Sequence, residues 1–184
     1  MTVNKLFDLG PWEATHDGNA TAFFLQSRHY SFKPYRDGRR QDLSNPNRRL
    51  FVGPGEKLVL IGDRCLFAWR KFIDASGQQG VNCSTFRNES QVLSSTLILA
   101  AEEFARKKWP LERRFYTYVN PRKIRSTNPG YCFLCAGWQR CGFTAEGKLI
   151  LEKLTAPATD SSAPVCLPEH AAAPSSGSDA VPHQ

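Results

Sequence analysis

The feature that most constrains the fold is an amphipathic helix between two strand-like segments. Residues 90–110 read SQVLSSTLILAAEEFARKKWP, and their apolar side chains recur at helical spacing along one face, at Leu93, Leu97, Ala100, Ala101 and Phe104. Lys107 and Lys108 suit the negative end of the helix dipole, and Pro110 ends the helix. The flanking segments GVNCSTFRNE and RRFYTYVNP favour strands. The sequence therefore predicts a central strand–helix–strand unit.

Shorter segments on either side complete the predicted fold. We expect a short helix or helix end at Phe23–Ser31, and strands at Arg49–Val52, Lys57–Ile61 and Cys65–Lys71. A second short helix opens at Asn128 and Pro129, and residues 142–154 form a hairpin. Antiparallel strands followed by a strand–helix–strand unit make a mixed sheet. The predicted fold class is α/β (an α+β mixed sheet), mostly antiparallel, with helices on both faces.

The composition divides the chain at about residue 155. Residues 155–184 are rich in Ala, Pro, Ser and Asp without a hydrophobic period, which is typical of a disordered tail. Residues 1–154 then form one folded domain. No apolar run reaches the ~18 residues of a membrane span, and the N-terminus lacks the pattern of a secretory signal. With the six cysteines interpreted as reduced thiols, we expect a cytoplasmic protein.

The positive charge of the chain is concentrated in two segments. The net charge is +7; residues 28–49 carry seven Lys and Arg against two Asp, and residues 106–125 carry eight against one Glu. Clusters of one sign favour a polyanionic partner, such as DNA. Two alternatives stay open: a basic surface without a partner, and a cluster that serves an anionic cofactor.

The cysteines and the known short motifs indicate neither a metal site nor several common enzyme classes. Cys132 and Cys135, with Cys141 nearby, lack a fourth ligand at a suitable spacing, so they are interpreted as core residues and no metal is predicted. The sequence has no Walker loop, no GxGxxG after a strand, no HExxH and no Ser-His-Asp spacing. These absences argue against nucleotide triphosphatases, dinucleotide-dependent enzymes and zinc proteases.

The order of elements and the C-terminal part of the chain resemble the Gcn5-related N-acetyltransferases (GNATs). The resemblance covers residues 20–154 and is carried best by YVNPRKIRSTNPGYCFLCAGWQRCGFT, where Gly137 and Trp138 are similar to the Gly-aromatic pair that closes a GNAT helix. It implies a GNAT-like fold, acyltransferase activity, and acetyl-CoA or another acyl-CoA as donor. The family's Arg/Gln-x-x-Gly-x-Gly/Ala signature is absent, and Phe133 stands where GNATs often have Tyr.

A narrower resemblance is to GNAT-like proteins of bacteriophages, including the Mom type, which modify adenine in phage DNA and protect it from restriction. It is carried by Arg28-His29-Tyr30-Ser31, by an Arg in the central strand (Arg87), and by serines at the start of the long helix. The resemblance implies transfer of an acyl-derived group to a DNA base. Phage families also contain GNAT-like enzymes that acylate an amine on an already modified pyrimidine, so other nucleotide-modification enzymes are expected partners.

Three residues are candidates for the chemistry of such a transfer. The His29 imidazole is suited to accept a proton from an attacking amine, and Tyr30 to donate one to a leaving thiolate or to stack on a base. Glu89 follows the central strand, where GNATs often keep a carboxylate base. The alternatives are a helix-end His bonded to backbone, and a solvated Glu that the helix dipole favours.

The remaining candidates would bind the cofactor or the acceptor. Backbone N–H groups at the start of a helix bind phosphates, so the predicted cofactor-binding residues are Arg87, Asn88, Ser90, Ser94 and Ser95; simple capping of the helix by Ser94 and Ser95 is the alternative. The predicted substrate or nucleic-acid contacts are Arg39, Arg40, Tyr116, Tyr118, Asn120, Arg122, Lys123, Arg125 and Tyr131, an aromatic and basic set of the kind that grips flipped bases.

Two other functions are compatible with the same residues. An N-acetyltransferase for a small amine would usually need acidic residues in its cleft, and the sequence offers few. A nucleic-acid-binding module without catalysis, built on a degenerate GNAT scaffold, would explain the missing glycine signature. The oligomeric state does not follow from the sequence.

Overall fold

The computed structural model describes residues 10–32, 49–73 and 77–155. The strands are Glu13–Thr15 (β1), Glu56–Gly62 (β2), Cys65–Lys71 (β3), Val81–Asn88 (β4), Arg114–Val119 (β5), Gln139–Phe143 (β6) and Leu149–Leu154 (β7), and the helices are Ala20–Ser27 (α1), Ser94–Lys108 (α2) and Tyr131–Cys135 (α3). The predicted contacts Arg39 and Arg40 and nearly all of the predicted tail lie outside the described residues, so those predictions stand as made, as does the domain boundary.

The strands form one mixed sheet in the order β1-β2-β3-β4-β5-β7-β6. All neighbouring pairs are antiparallel except β4 and β5, which are parallel and are joined through α2. A parallel pair needs a long crossover, and a helix supplies it. The predicted fold class, a mostly antiparallel mixed sheet with helices, is confirmed.

Helices cover both faces of the sheet because β3 is apolar on both sides. Cys65, Phe67 and Trp69 point to the face that packs against α2 and α3, whereas Leu66 and Ala68 point to the opposite face, which packs against α1. A strand buried on both faces reads as a continuous apolar run, as CLFAW does here. The larger core therefore lies between the sheet and α2.

Two tryptophans fix α2 on the sheet. The indole N–H of Trp12 donates to the carbonyl of Leu97 at 2.8 Å, and that of Trp69 donates to the carbonyl of Ala101 at 3.1 Å. Both indoles are fully buried, so their N–H groups need a partner. None of the helices in the described part of the chain has both the length and the apolar character that a membrane crossing requires.

The parallel strands β4 and β5 separate after a short paired region, and this separation positions the site. Pairing joins residues 81–83 to residues 115–117 and goes no further. On the other edge of β4 the register shifts, so that Ala68 pairs with Thr85 and Trp69 with Cys83. Ser84 is the extra residue of this β-bulge, and a bulge bends and twists its strand. The bend coincides with the point where β4 leaves β5.

The structure differs from the sequence predictions at α1, at β1, at residues 49–52 and at the second short helix, which begins at Tyr131 and not at Asn128. Helix α1 spans Ala20–Ser27, so His29 and Tyr30 follow the helix instead of lying in it, and β1 was not predicted. Residues 49–52 are not a strand. The reason is that the Asp17 carboxylate accepts the N–H groups of Phe51 and Val52, at 3.0 and 3.3 Å, in place of a neighbouring strand.

Candidate active site

A cleft of about 780 Å³ opens where β4 and β5 separate. Its walls come from four parts of the chain: the segment after α1, the second half of β4 with the start of α2, the end of β5 with the loop after it, and α3 with the turn before β7. The lining residues are His29, Tyr30, Ser31, 83–88, Ser94, 117–120, Lys123, Ile124, Ser126, Asn128, 130–133, Glu146 and Lys148.

The floor of the cleft is closed by a contact between the two parallel strands. The Thr117 hydroxyl donates to the carbonyl of Cys83 at 2.9 Å, where the pairing stops. Cys83 is buried, and burial raises the pKa of its thiol, so it is an inert side chain at neutral pH. Phe86 and Phe133 meet edge to face above this floor, with ring centroids 6.0 Å apart. The cleft lining therefore includes an aromatic pair, Phe86 and Phe133.

The backbone edges of the two strands are open along the cleft. Beyond Cys83 and Thr117 the described residues contain no pairing between β4 and β5, while the outer edge of each strand stays paired, to β3 and β7 respectively. Backbone N–H and C=O groups on such edges are ready to pair with an added extended chain. The cleft can therefore bind a molecule that carries amide groups.

His29 and Tyr30, the two adjacent catalytic candidates, both line the cleft. Their rings are in contact, with centroids 4.3 Å apart. Burial, followed by the positive charge of Arg87, lowers the pKa of His29 to about 4. Burial raises the pKa of Tyr30, whose hydroxyl lies 3.5 Å from the backbone N–H of Asn120. At neutral pH the cleft thus holds a neutral imidazole beside a protonated phenol.

Glu89 is held by two arginines. Its carboxylate accepts from Arg28 at 2.8 and 2.6 Å and from Arg87 at 2.9 Å. Hydrogen bonds and charge from these guanidinium groups lower the pKa of Glu89 to about 2. An effective general base has a pKa near the working pH, so this arrangement disfavours the predicted role as base. The carboxylate instead ties the segment after α1 to the end of β4.

Asn88 organises the loop between β4 and α2. Its side-chain N–H₂ group donates to the carbonyl of Val92 at 2.8 Å and to the hydroxyl of Ser94 at 3.0 Å. Its side-chain oxygen accepts from the backbone N–H and the hydroxyl of Ser90, at 2.9 and 2.7 Å. Asn88 and Ser94 line the cleft, whereas Ser90 and Ser95 do not. Of the five predicted cofactor-binding residues, three therefore line the cleft: Arg87, Asn88 and Ser94.

The first turn of α2 carries no side-chain cap. Leu93 occupies the N-cap position without a capping hydrogen bond, and the first turn contains no acidic residue. The alternative in which Ser94 and Ser95 cap the helix is wrong, because Leu93 occupies the N-cap position and the helix has no side-chain cap. The Ser94 hydroxyl instead accepts from Asn88. Uncapped N–H groups at a helix start attract anions.

The predicted substrate residues on β5 are divided by burial. Tyr116 is 1% exposed, packs edge to face on Tyr118 and does not line the cleft. Tyr118 and Asn120 do line it, beyond the point where the strands separate. Asn120 also caps the following turn by accepting from the N–H of Arg122 at 3.1 Å. The alternation predicted along this strand therefore places two of the three side chains at the cleft.

Three of the predicted basic contacts, Arg122, Lys123 and Arg125, lie on one loop at the cleft. Lys123 lines it, and Arg122 and Arg125 are exposed on the same loop. Within the described residues none of the three is in a salt bridge. Tyr131 lies at the start of α3, is 59% exposed and lines the cleft, and a contact with the Cys135 thiol raises its pKa. This loop is a positively charged rim, called here the basic rim (Arg122, Lys123 and Arg125).

The cysteines of α3 and β6 only partly match their interpretation as core residues. Cys132 packs against the core, but Cys135 and Cys141 are exposed. Among the residues that the structure describes, no group of three or more His, Cys, Asp or Glu side chains is placed to hold a metal ion.

Several lining residues were not predicted from the sequence. Ser31, Thr85, Thr117 and Lys148 are the clearest cases. The sequence of a strand does not show where the neighbouring strand separates from it. The cleft positions of Thr85 and Thr117 could therefore not be predicted, because they lie where β4 separates from β5, next to the bulge at Ser84. Ser31 does have a signal, since it follows His29 and Tyr30 directly.

Comparisons with known proteins give a limited result. No protein-family model matches the chain, and no curated protein does. Among solved structures, the chain is similar to aminoglycoside acetyltransferase AAC(6')-Ib in complex with coenzyme A, and to the same enzyme with coenzyme A and kanamycin. In both cases the sequence identity is 16% and the TM-score 0.36, over 53% of this chain. The chain spans 65% of the length of those enzymes.

Proposed function

We propose that this protein is an acyltransferase that binds an acyl-CoA between β4 and β5. The observation that carries the proposal is the pair of open strand edges above the closed floor at Cys83 and Thr117. The pantetheine arm of an acyl-CoA is extended and contains amide groups, so it can pair with a strand edge as an added strand does. Such pairing would place the thioester against the lining side chains of the cleft.

The start of α2 supports phosphate binding at the mouth of the same cleft. Its N-terminus has no side-chain cap and no acidic residue in the first turn, and Ser94 lines the cleft. Backbone N–H groups at a helix start bind phosphate groups without glycine in the loop, provided that the loop is held in place. Asn88 holds it through its contacts with Ser90 and Ser94. This arrangement would replace the absent glycine signature.

The charge around the cleft supports an anionic acceptor. The basic rim is not neutralised within the described residues, whereas Glu146, the one carboxylate among the described lining residues, pairs with Lys148 at 2.7 Å. A polycationic amine would find no unpaired carboxylate in this lining. We therefore propose that the acceptor is the amine of a DNA base or a modified nucleotide, and that the biological role is DNA modification that protects against restriction.

Two measurements on one set of proteins test the proposal. Calorimetry should detect CoA binding, and Ser94→Asp should weaken it by tenfold or more, because a carboxylate at the cleft repels the phosphates. Ser95→Asp is the matched control, because it adds the same charge one residue away from the lining and should weaken binding less. Absence of CoA binding by the unmodified protein would contradict the proposal.

The acceptor is tested by nucleoside mass analysis of plasmid DNA from cells that express the protein. A new nucleoside that is lost with His29→Ala would establish base modification, and its mass would identify the added group. Unmodified DNA together with CoA binding would shift the acceptor to a small amine, to be sought among polyamines and aminoglycosides. CoA binding without transfer to any acceptor would favour a binding module without catalysis.

A further inference from the structure

The His29 ring is held by its own chain segment through one of its two nitrogens. The backbone N–H of Ser31 donates to His29 Nδ1 at 3.3 Å, and the Ser31 hydroxyl lies 2.7 Å from the same atom. An amide N–H can only donate. Nδ1 is therefore an acceptor, and the Ser31 hydroxyl, which lies close to the same atom, also donates to it.

This contact determines where the ring proton lies. A neutral imidazole carries one proton, and if Nδ1 accepts, the proton is on Nε2. The ring is neutral because burial and the charge of Arg87 lower its pKa to about 4. His29 lines the cleft, and among the described residues Nδ1 is the ring nitrogen with a hydrogen-bond partner. The Nε2–H group is thus left to meet a bound molecule.

We infer that His29 acts in the cleft as a neutral hydrogen-bond donor through Nε2, and that Ser31 is the positioning residue that fixes this tautomer. The inference rests on the proposed function, and it reverses the proton-acceptor role that the residue type alone indicates. A neutral imidazole that donates to a carbonyl oxygen stabilises negative charge there without losing its proton.

Acyl transfer provides a step in which such a donor is useful. The acceptor nitrogen forms a bond to the thioester carbonyl carbon, negative charge builds on the carbonyl oxygen, and the C–S bond then breaks. The proton that leaves the nitrogen ends on the departing thiolate, so no net proton is taken up by the protein. The His29 Nε2–H would stabilise the oxygen as the charge builds, and Tyr30, which is protonated at neutral pH, would give its proton to the thiolate and regain one from the acceptor nitrogen.

The charged neighbours of His29 are compatible with a neutral ring over the physiological range. Arg87 faces the ring from the end of β4 and disfavours the imidazolium. Arg28 is adjacent in the chain and is paired with Glu89, and Tyr30, Lys123 and Tyr131 share the lining. We therefore expect that His29 does not titrate between pH 5.5 and pH 8. An ordinary His, with a pKa of about 6.5, titrates within this range.

Nitrogen NMR tests the tautomer independently of activity. In protein labelled with ¹⁵N-histidine, the signals of His29 are identified by their loss in His29→Gln, and two-bond correlations show which nitrogen carries the proton. The expected result is a neutral Nε2–H ring at every pH from 5.5 to 8. A proton on Nδ1, or titration near pH 6.5, would overturn the inference. Ser31→Asp places a strong acceptor at Nδ1 and should raise the His29 pKa and move the proton towards Nδ1.

Kinetics of acyl transfer test the donor role. A Gln side chain presents an N–H donor close to the position of Nε2–H but cannot act as a base. His29→Gln should therefore keep kcat within about tenfold of the unmodified protein, while His29→Ala should lose about 100-fold or more in kcat. Equal losses in the two variants would contradict the donor role.

The controls separate failure of this inference from failure of the proposed function. His16→Gln changes an exposed His outside the cleft and should leave kcat and KM unchanged. Ser31→Ala should lower kcat more than it raises KM, as expected of a residue that positions a catalytic group. If the unmodified protein binds no acyl-CoA, the proposed function fails, and the NMR spectra still decide the state of His29.

Discussion

At the scale of single residues, the partners of a side chain in the cleft determine its charge more than its type does. Glu89 could act as a base if burial alone raised its pKa, but two guanidinium groups hold it ionised and lower that pKa. His29 would titrate near neutral pH if it were exposed, but burial and Arg87 keep it neutral. His29 lines the cleft, whereas Glu89 is not among its lining residues, and the roles of both depend on partners that the sequence does not reveal.

Glu89→Gln is expected to lower the free energy of unfolding at pH 7 by about 1 kcal/mol, because two arginines lose a charged acceptor. The folded-state pKa of Glu89 is lowered from its ordinary value of 4.5 to about 2. Its stabilisation is therefore complete above pH 4.5 and is lost as the pH falls towards 2. Urea unfolding at pH 7 and at pH 3 measures the difference between the two proteins, which should be smaller at pH 3.

Glu112→Gln is the control for that comparison. The Glu112 carboxylate pairs with Lys71 on the protein surface, and a single exposed pair contributes about 0.5 kcal/mol or less. An equal effect of both substitutions would show that the two arginines do not hold Glu89 in solution.

At the scale of elements, a buried carboxylate joins α2 to β7 and to the segment before β6. Glu102 is fully buried; it accepts from the Trp138 indole at 2.7 Å, from Lys153 at 2.7 Å and from Arg106 at 2.8 Å. Lys153 also donates to the carbonyl of Ala136 at 2.8 Å. Arg106 lies on α2 itself, but Trp138 and Lys153 come from the C-terminal elements, so these two contacts hold those elements on α2.

Glu102→Gln should cost about 3 kcal/mol in the free energy of unfolding, because Glu102 is fully buried and its partly buried cationic partner Lys153 loses its counter-charge. Glu103→Gln is the matched control: the neighbouring Glu103 side chain is 64% exposed and its salt bridge within the described residues is to Arg106, so its loss should cost less than 0.5 kcal/mol. Chemical denaturation of both variants measures the two values. A loss below 1 kcal/mol for Glu102→Gln would contradict the role of the network.

The loop before α2 is a second element that one side chain holds. Asn88→Ala removes four hydrogen bonds within residues 88–94 and should weaken CoA binding about tenfold, because the helix start is then no longer held in place. Calorimetry with CoA measures the change. Ser95→Ala, in the same turn but outside the lining, should bind CoA as the unmodified protein does; equal weakening in the two variants would contradict the role of Asn88.

The sequence predicted the elements whose signals are local, and it missed those whose causes are distant. The periodicity of residues 90–110 predicted α2, but not that Glu102 would be buried in the face that Leu97 and Ala101 share. The reason is that its partner Lys153 lies 51 residues away. Likewise β5 was predicted from its aromatic and β-branched residues, whereas the separation of β4 from β5 depends on a bulge at Ser84 that no local pattern indicates.

At the scale of the whole molecule, the net charge of +7 favours association with any polyanion, so the placement of charge must be tested apart from its amount. Lys123→Ser with Arg125→Ser removes two charges from the basic rim, and Lys107→Ser with Arg113→Ser removes two exposed charges that do not line the cleft. The two variants have the same net charge.

If single-stranded DNA enters the cleft, the rim variant should bind it more weakly and with a shallower salt dependence. The slope of log K against log salt concentration should fall by about 1.4, since each lost phosphate contact contributes about 0.7. The control variant should keep the slope of the unmodified protein. Titrations of fluorescent oligonucleotides between 50 and 300 mM salt measure the slopes. Equal changes in both variants would mean that DNA associates with the surface in general, and that the acceptor of the cleft is another molecule.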